Sequence, residues 1–336
     1  MKLLLSPTEF KDRKREKLLD YKIYKSNFEE VLDTFDVMRA TAAILPEIRK
    51  NIPANRSMMS SQEFAFEMVD HLATCYSAGH TLAELHSFYP TALETWEQFG
   101  RYHKDYHATP EGSVTHVAHL PLLGQGFDQA NRLTCFAILL GWGHLLPRLA
   151  PLTDYNNPAR DAMLELLFAP YVSDRGSPPD ECTRHLPYFK TLKIFKAKPE
   201  ARAELMAEYL DDWYEASRRE PYYNSHERHT SFMGYWSWEA AAITHLLDID
   251  DRAYADAMFY PKDLVDWART HHNLIEEAVQ DNALMRCEAG QPCPRPGYWT
   301  TPVQANSRRL FKQGVIMPSL AGDYGVTIWQ WDPKQV

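Results

Sequence analysis

Apolar side chains recur every three to four positions from Glu9 to about Asp281, and that spacing admits helices and little else. Leu18, Leu19, Ile23, Val31, Leu32, Phe35 and Met38 mark one such stretch between Phe10 and Leu45, which Pro46 and Pro53 close. Ser60, Ser61, Gln62 and Glu63 have the pattern of a capping box and predict a helix start. That helix is expected to run through Phe64, Met68, His71, Leu72, Cys75, Leu82 and Leu85 until Pro90 stops it, with another from Thr91 to about His107. Pro110, Gly112, Pro121 and Gly124 break the pattern over 108–125, which reads as a loop.

Phe127 to Leu146 is apolar almost all round, the mark of a helix packed on every side. Asn157-Pro158 predicts a helix start that ends before Pro170, and Gly176, Pro178, Pro179 and Pro187 make 171–187 a linker candidate. Pro199 opens an amphipathic helix with Leu205, Tyr209, Trp213 and Tyr214 inward and Glu200, Glu204, Glu208, Asp211, Asp212 and Glu215 outward. Two further helices are predicted over about Tyr235–Leu247 and Lys262–Leu284.

From Glu288 onward the character changes. The last 49 residues hold 5 of the 14 glycines and 6 of the 22 prolines, too many for helix, and Val326-Thr327-Ile328-Trp329-Gln330-Trp331 alternates as a strand does. The expected fold class is mainly α: a multi-helix, bundle-like body with a small β-rich or irregular C-terminal appendage. The expected domains are an N-terminal helical region over 1–125, a second helical region over 126–287 and the tail over 288–336.

At 336 residues, 45% hydrophobic and 24% charged, the chain can bury a core without metal or disulfide staples. Cys75, Cys135, Cys182, Cys287 and Cys293 are odd in number and form no CxxC pair, so free thiols in a reducing compartment are expected. Leu3-Leu4-Leu5 is shorter than the ~7–15 apolar residues of a signal peptide. Cys135–Leu146, interrupted by Gly141, Gly143 and His144, is too short to span a bilayer. A cytoplasmic protein without membrane contact is expected.

The motifs of catalysis are missing. His103 and His107 have helix-face spacing for two ligands, yet no His-Glu-x-x-His follows. His116 and His119 lie in a proline-bounded loop, His226 and His229 lack a carboxylate at the expected offset, and Cys287 and Cys293 lack zinc-knuckle spacing. Gly124-Gln125-Gly126 lacks the third glycine of a dinucleotide loop, and Pro179-Asp180 has no Glu-x-Lys or Asp-x-Lys after it up to Pro199. A phosphate loop and a GxSxG elbow are both absent. No catalytic residue, metal or cofactor is expected.

Charge points elsewhere. Residues 161–280 hold 13 basic and 22 acidic side chains, a balance of −9 that equals that of the whole chain, so direct nucleic-acid binding is disfavoured. Within that block Trp213-Tyr214, Tyr222-Tyr223, Tyr235-Trp236-Ser237-Trp238 and Phe259-Tyr260 are interleaved with Glu220, Glu239, Asp248, Asp250, Asp251, Asp256, Asp263 and Asp266. Aromatic anchors rimmed by charge suit a protein-binding patch, since anchors supply affinity and charge supplies on-rate. Trp236 and Trp267 sit on apolar helix faces and are assigned to packing.

Four segments carry a family resemblance: Arg218-Arg219-Glu220-Pro221-Tyr222-Tyr223-Asn224-Ser225-His226, Gly234-Tyr235-Trp236-Ser237-Trp238-Glu239-Ala240-Ala241, Leu247-Asp248-Ile249-Asp250-Asp251 and Tyr260-Pro261-Lys262-Asp263-Leu264-Val265. Over about 200–270 the chain resembles the C-terminal domain of the PoNi-like immunity proteins. These are partners of polymorphic nuclease effectors delivered by bacterial secretion systems, with type VI secretion the expected route. The resemblance is more diffuse over 10–110. The tail, with Gly297-Tyr298-Trp299 and Trp329-Gln330-Trp331-Asp332, resembles the ends of other proteobacterial immunity proteins.

The resemblance implies a helical, non-enzymatic antitoxin that binds one cognate toxin, expected to be a nuclease, and blocks its active site or substrate cleft. An acidic face can occupy a cleft that is basic to hold phosphates. Glu220, Asp248, Asp250, Asp251 and Asp256 are the candidate charges and Tyr222 and Tyr223 the candidate anchors. The alternative is an enzyme that reverses a toxin's modification, through His226, His229 or the His103/His107 pair in a deep polar pocket. A third reading is an adaptor carried with a toxin, which would show a large apolar surface.

Overall fold

A computed structural model describes residues 3–42, 52–114, 117–228, 232–271, 286–301, 304, 307–320 and 327–332. The chain divides into two compact units, Met1–Thr270 and His271–Val336.

The first unit is helical. Its elements are α1 (Pro7–Arg13), α2 (Tyr21–Ala42), α3 (Ala54–Ala78), α4 (Leu82–His107), α5 (Gly124–Leu139), α6 (Leu146–Asp154), α7 (Ala162–Phe168), α8 (Thr191–Lys196), α9 (Pro199–Ala216) and α10 (Trp238–Leu246). Residues 262–271 are helical as well. α3 packs most extensively on α4, and α5 on α10. α5 is buried on all sides from Gly126 to Leu139, as its unbroken apolar sequence requires. Trp96, Trp213, Tyr76, Tyr89, Phe127 and Phe136 are fully buried in the same core. Each contributes about 1.5–3 kcal/mol through burial. α9 begins at Pro199 as the sequence predicts, burying Met206, Tyr209, Leu210 and Trp213 along one stripe.

The break between α3 and α4 falls where the periodicity does not place it. Gly79 ends α3 with φ +96, and a Cβ there would lie 2.4 Å from the carbonyl oxygen of Arg13, so only glycine lets α1 approach. Two residues later Thr81 and Glu84 form the capping box of α4: Thr81 Oγ1 accepts from the Glu84 amide at 3.3 Å, and Glu84 Oε2 accepts from the Thr81 amide at 2.9 Å. The Ser60–Glu63 pattern lies inside α3, which has already started at Ala54 behind Pro53. Capping residues act only where a chain end leaves amides free.

Pro90, expected to stop a helix, lies in the middle of α4. A proline there deprives the carbonyl four residues earlier of its donor, and that carbonyl belongs to His86. The indole Nε1 of Trp142 donates to His86 O at 2.8 Å, so a side chain distant in sequence repairs the defect. The Trp142 ring also stacks on His86, centroids 4.6 Å apart.

The second unit holds a four-stranded antiparallel sheet in the order β1-β4-β2-β3. Its strands are β1 (Arg286–Glu288), β2 (Gly297–Thr300), β3 (Arg309–Phe311) and β4 (Ile328–Trp331). Trp299 pairs with Trp331 across β2 and β4, their rings edge to face at 5.4 Å. Cys287, Cys293, Trp299, Phe311, Met317 and Trp329 make a separate small core. The mainly α body with a small β appendage is the fold class that the hydrophobic periods require.

Replacing Trp142 by Phe keeps most of the packing and removes the donor to His86. We expect a loss of about 1–2 kcal/mol in chemical denaturation. The loss should shrink in a Pro90→Ala background, where the helix restores its own amide, and an unchanged penalty would mean that the indole acts through packing alone.

Candidate functional site

The residues singled out by their aromatic and acidic pattern converge on one buried carboxylate. Glu239, in the first turn of α10, has no exposed surface. Its Oε1 accepts from Tyr209 Oη, Trp213 Nε1 and Ser237 Oγ, each at 2.7 Å, and its Oε2 accepts from Asn131 Nδ2 at 3.2 Å. The donors come from α9, α5 and the residue before α10. A carboxylate removed from water is tolerated only with such a donor set.

Beside it lies a second polar cluster. Arg132 of α5, almost fully buried, donates to Asp70 of α3 at 2.7 Å and pairs with Asp128 one turn earlier on its own helix. Burial pushes Asp128 up to about 6, against the pull of Arg132. Asp128, Asn131, Arg132, Tyr188, Tyr222 and Glu239 help to line a cavity of about 10 Å³. That volume holds about one water. It is too small for a substrate.

The seven candidate contact residues fall into two segments. Glu220, Tyr222 and Tyr223 sit in the turn after α9, and Asp248, Asp250, Asp251 and Asp256 in the segment after α10. The ring of Phe259 ties them together: it lies 5.2 Å from Trp213 and 5.3 Å from Tyr214, while Tyr222 stacks on Trp213 at 5.5 Å and Tyr223 packs against Tyr214 at 4.7 Å. One aromatic layer therefore carries both segments.

Their exposure differs. Glu220 is buried, and its Oε1 accepts from Arg184 Nε at 3.1 Å; burial raises its pKa against the pull of that arginine. Asp251 is buried too, accepting from Tyr260 Oη at 2.9 Å and from Arg269 Nη1 at 3.0 Å. Burial works to raise its pKa, and those two partners outweigh it, holding the carboxyl below its usual value. Asp248, Asp250 and Asp256 are exposed. Asp250 is held down to about 2 by hydrogen bonds from its neighbour Arg252. Tyr222 and Tyr223 are half-buried, with Tyr222 Oη donating to Ser217 Oγ at 3.0 Å. On the same unit α9 exposes Glu200, Glu204, Glu208, Asp211, Asp212 and Glu215, the stripe its periodicity predicts.

The histidines singled out for metal or acid–base work are also placed. His103 and His107 of α4 stand 4.2 Å apart, ring to ring, and His119 stacks on Tyr155 at 3.7 Å while lying 5.1 Å from His103. His107 Nδ1 is 2.9 Å from Tyr155 Oη, and His226 Nδ1 is 2.6 Å from Tyr235 Oη. Among the described residues no group of three or more histidine, cysteine and carboxylate side chains is arranged to hold a metal ion. His116 and His229 lie outside the described residues. No helix among the described residues is long and apolar enough to cross a membrane.

Residues 159–264 match the family model for the C-terminal domain of PoNe immunity proteins (PoNi). That span includes Glu239 and all seven candidate contact residues. The fold resembles that of protein PA2201 from Pseudomonas aeruginosa, whose crystal structure aligns with a TM-score of 0.63 at 20% identity over 79% of this chain and 94% of that one. No curated protein matches the chain.

Glu239→Ala should cost about 3 kcal/mol or more, because it strands the Tyr209, Trp213 and Asn131 donors in the core. Denaturant titration reads this directly, and Glu239→Gln, which still offers an oxygen, should cost less. Acid should destabilise the fold through the histidines. Burial pushes His119 down to about 3 and His103 down to about 4, so the unfolded chain takes up the protons first. The stability tied to these neutral rings is present above about pH 6.5 and is lost as pH falls toward the folded values. The melting temperature should therefore drop between about pH 7.5 and about pH 5.5. The drop should be smaller in His119→Asn, and equal slopes would exclude His119 as a source.

Proposed function

We propose that this chain is an immunity protein that binds and neutralises a cognate secreted antibacterial toxin of the nuclease class. The match of residues 159–264 to the PoNi C-terminal model carries the reading. It is supported by the way the matched span is built. Its buried acids, Glu220, Glu239 and Asp251, are held by internal donors, while Asp248, Asp250 and Asp256 and the acidic stripe of α9 face solvent over a rigid aromatic layer. A preorganised acidic surface suits a nuclease, whose substrate cleft must be basic to hold phosphates. In this reading the exposed acids meet the toxin, Tyr222 and Tyr223 help to shape the face, and Glu220 and Asp251 fix the segments that carry it. Action is by occlusion, in the cytoplasm of the producing cell, with no cofactor. The cavity of about 10 Å³ beside the buried polar cluster leaves no room there for a substrate.

Titrating this chain against the toxin encoded beside its gene tests the reading. Inhibition that saturates near one to one, with a stable complex on gel filtration, is the expected result. Rescue at far below one to one without a complex would replace it with turnover. Reversing the exposed Asp250 and Asp256 to lysine should slow association several-fold at low salt and leave the melting temperature unchanged. Association that is flat with salt would remove the acidic face from the interface.

A further inference from the structure

Between α8 and α9 the surface opens into a groove of about 770 Å³, inside the span that matches the PoNi model. Leu192, Leu205 and Tyr209 form part of its wall, and Phe189, in the turn before α8, lies 41% exposed at its side. A concave, mostly apolar surface with an open aromatic ring gains free energy when a partner covers it. The rims carry opposite charges: Lys190, Lys193 and Lys196 on the α8 side, Glu208 and Asp212 on α9. Two ion pairs cross from rim to rim, Lys190 Nζ to Asp212 at 2.8 Å and Lys193 Nζ to Glu208 at 3.9 Å. All four side chains are more than a third exposed, so these pairs hold little and exchange readily.

The charges left over are unequal. On α9 the exposed Glu204, Asp211 and Glu215 have no ion-pair partner among the described residues, whereas Lys196 is the one unpaired lysine of the rim. Glu204, Glu208, Asp211 and Glu215 recur at helical spacing, so the excess acid runs as one line along the α9 side of the groove. An occupant must therefore be apolar at its centre and basic along the flank that faces α9. A small apolar molecule answers only the first demand. A second copy of this chain meeting through the same face would bring a second acidic line with it. A basic segment of a nuclease answers both, with apolar anchors for the groove and cations for the rim.

We infer that the groove seats an amphipathic basic segment of the protein partner, its apolar side chains on Phe189 and Leu205 and its lysines or arginines against Glu204, Glu208 and Asp211. The inference rests on the binding function proposed above and gives the partner an apolar anchor point on the unit that carries the acidic face. A guanidinium arriving at Glu208 displaces Lys193 and replaces a 3.9 Å contact by parallel hydrogen bonds. The apolar contacts supply affinity, and the opposed rims fix which way the segment lies.

The test combines calorimetric titration and photo-cross-linking of the full chain with the purified cognate toxin at physiological ionic strength. Phe189→Ala should weaken binding about tenfold, as loss of an anchor does. Glu204→Lys/Asp211→Lys should weaken it about thirtyfold. Melting temperatures should not change, since all three side chains are exposed. The charge-matched control Asp12→Lys/Asp33→Lys, on exposed acids of α1 and α2, should stay within about threefold of wild type. An equal loss in that control would overturn the inference in favour of a general field effect. Benzoylphenylalanine in place of Phe189 should cross-link to a toxin segment whose apolar residues are flanked by lysine or arginine. A cross-link to a second copy of this chain, or to a toxin segment without basic residues, would overturn it. If the toxin binds wild type, Phe189→Ala and Glu204→Lys/Asp211→Lys equally well, the groove is wrong and the binding function stands. If wild type binds no toxin, the binding function fails first and the groove with it.

Discussion

A carboxylate with no exposed surface dictates how α5, α9 and α10 can be arranged. Glu239 needs four donors, and it takes them from Asn131 on α5, from Tyr209 and Trp213 on α9, and from Ser237. Losing any one element would leave a buried charge short of partners, a penalty of several kcal/mol. α5 and α9 are therefore fixed relative to α10 by direction as well as by hydrophobic contact. Its place in the first turn of α10 adds the favourable end of the helix dipole. The Arg132–Asp70–Asp128 cluster extends the same polar seam to α3.

This seam is what gives the surface above it a defined shape. Trp213 hydrogen-bonds Glu239 on one side and stacks with Tyr222 on the other, and Phe259 bridges Trp213 and Tyr214. The turn after α9 and the acidic segment after α10 thus hang from rings whose positions the buried carboxylate sets. In the proposed role as a binding face, a surface with little left to order on association would keep more of its contact energy as affinity. Two more ion pairs, Arg184 with Glu220 and Arg269 with Asp251, pin the same two segments.

The legible parts of the fold were those governed by short-range periodicity. Pro199 with an apolar stripe three and four residues apart specifies α9, and the Ile328–Trp331 alternation specifies β4. The illegible parts depended on distant partners. Pro90 reads as a stop because its effect on His86 is local, whereas the remedy, Trp142, lies 56 residues away. The Ser60–Glu63 pattern is chemically a good cap and serves none, because whether a chain end exists there depends on Pro53. The true cap, Thr81 with Glu84, was visible in the sequence but masked by the continuing apolar period on either side of Gly79.

The same division runs through the candidate site. By its own pattern the sequence determined a mainly helical body, a small β tail, a block rich in acids and aromatics, and the motifs that fall in the PoNi match. Which acids face solvent was decided only by the tertiary structure: Asp250 and Asp256 are exposed, while Glu220, Asp251 and Glu239 are turned inward to Arg184, Arg269 and Asn131. An isolated carboxylate in a sequence carries no sign of its burial, because the free energy that keeps it charged inside comes from donors that only the fold brings within reach.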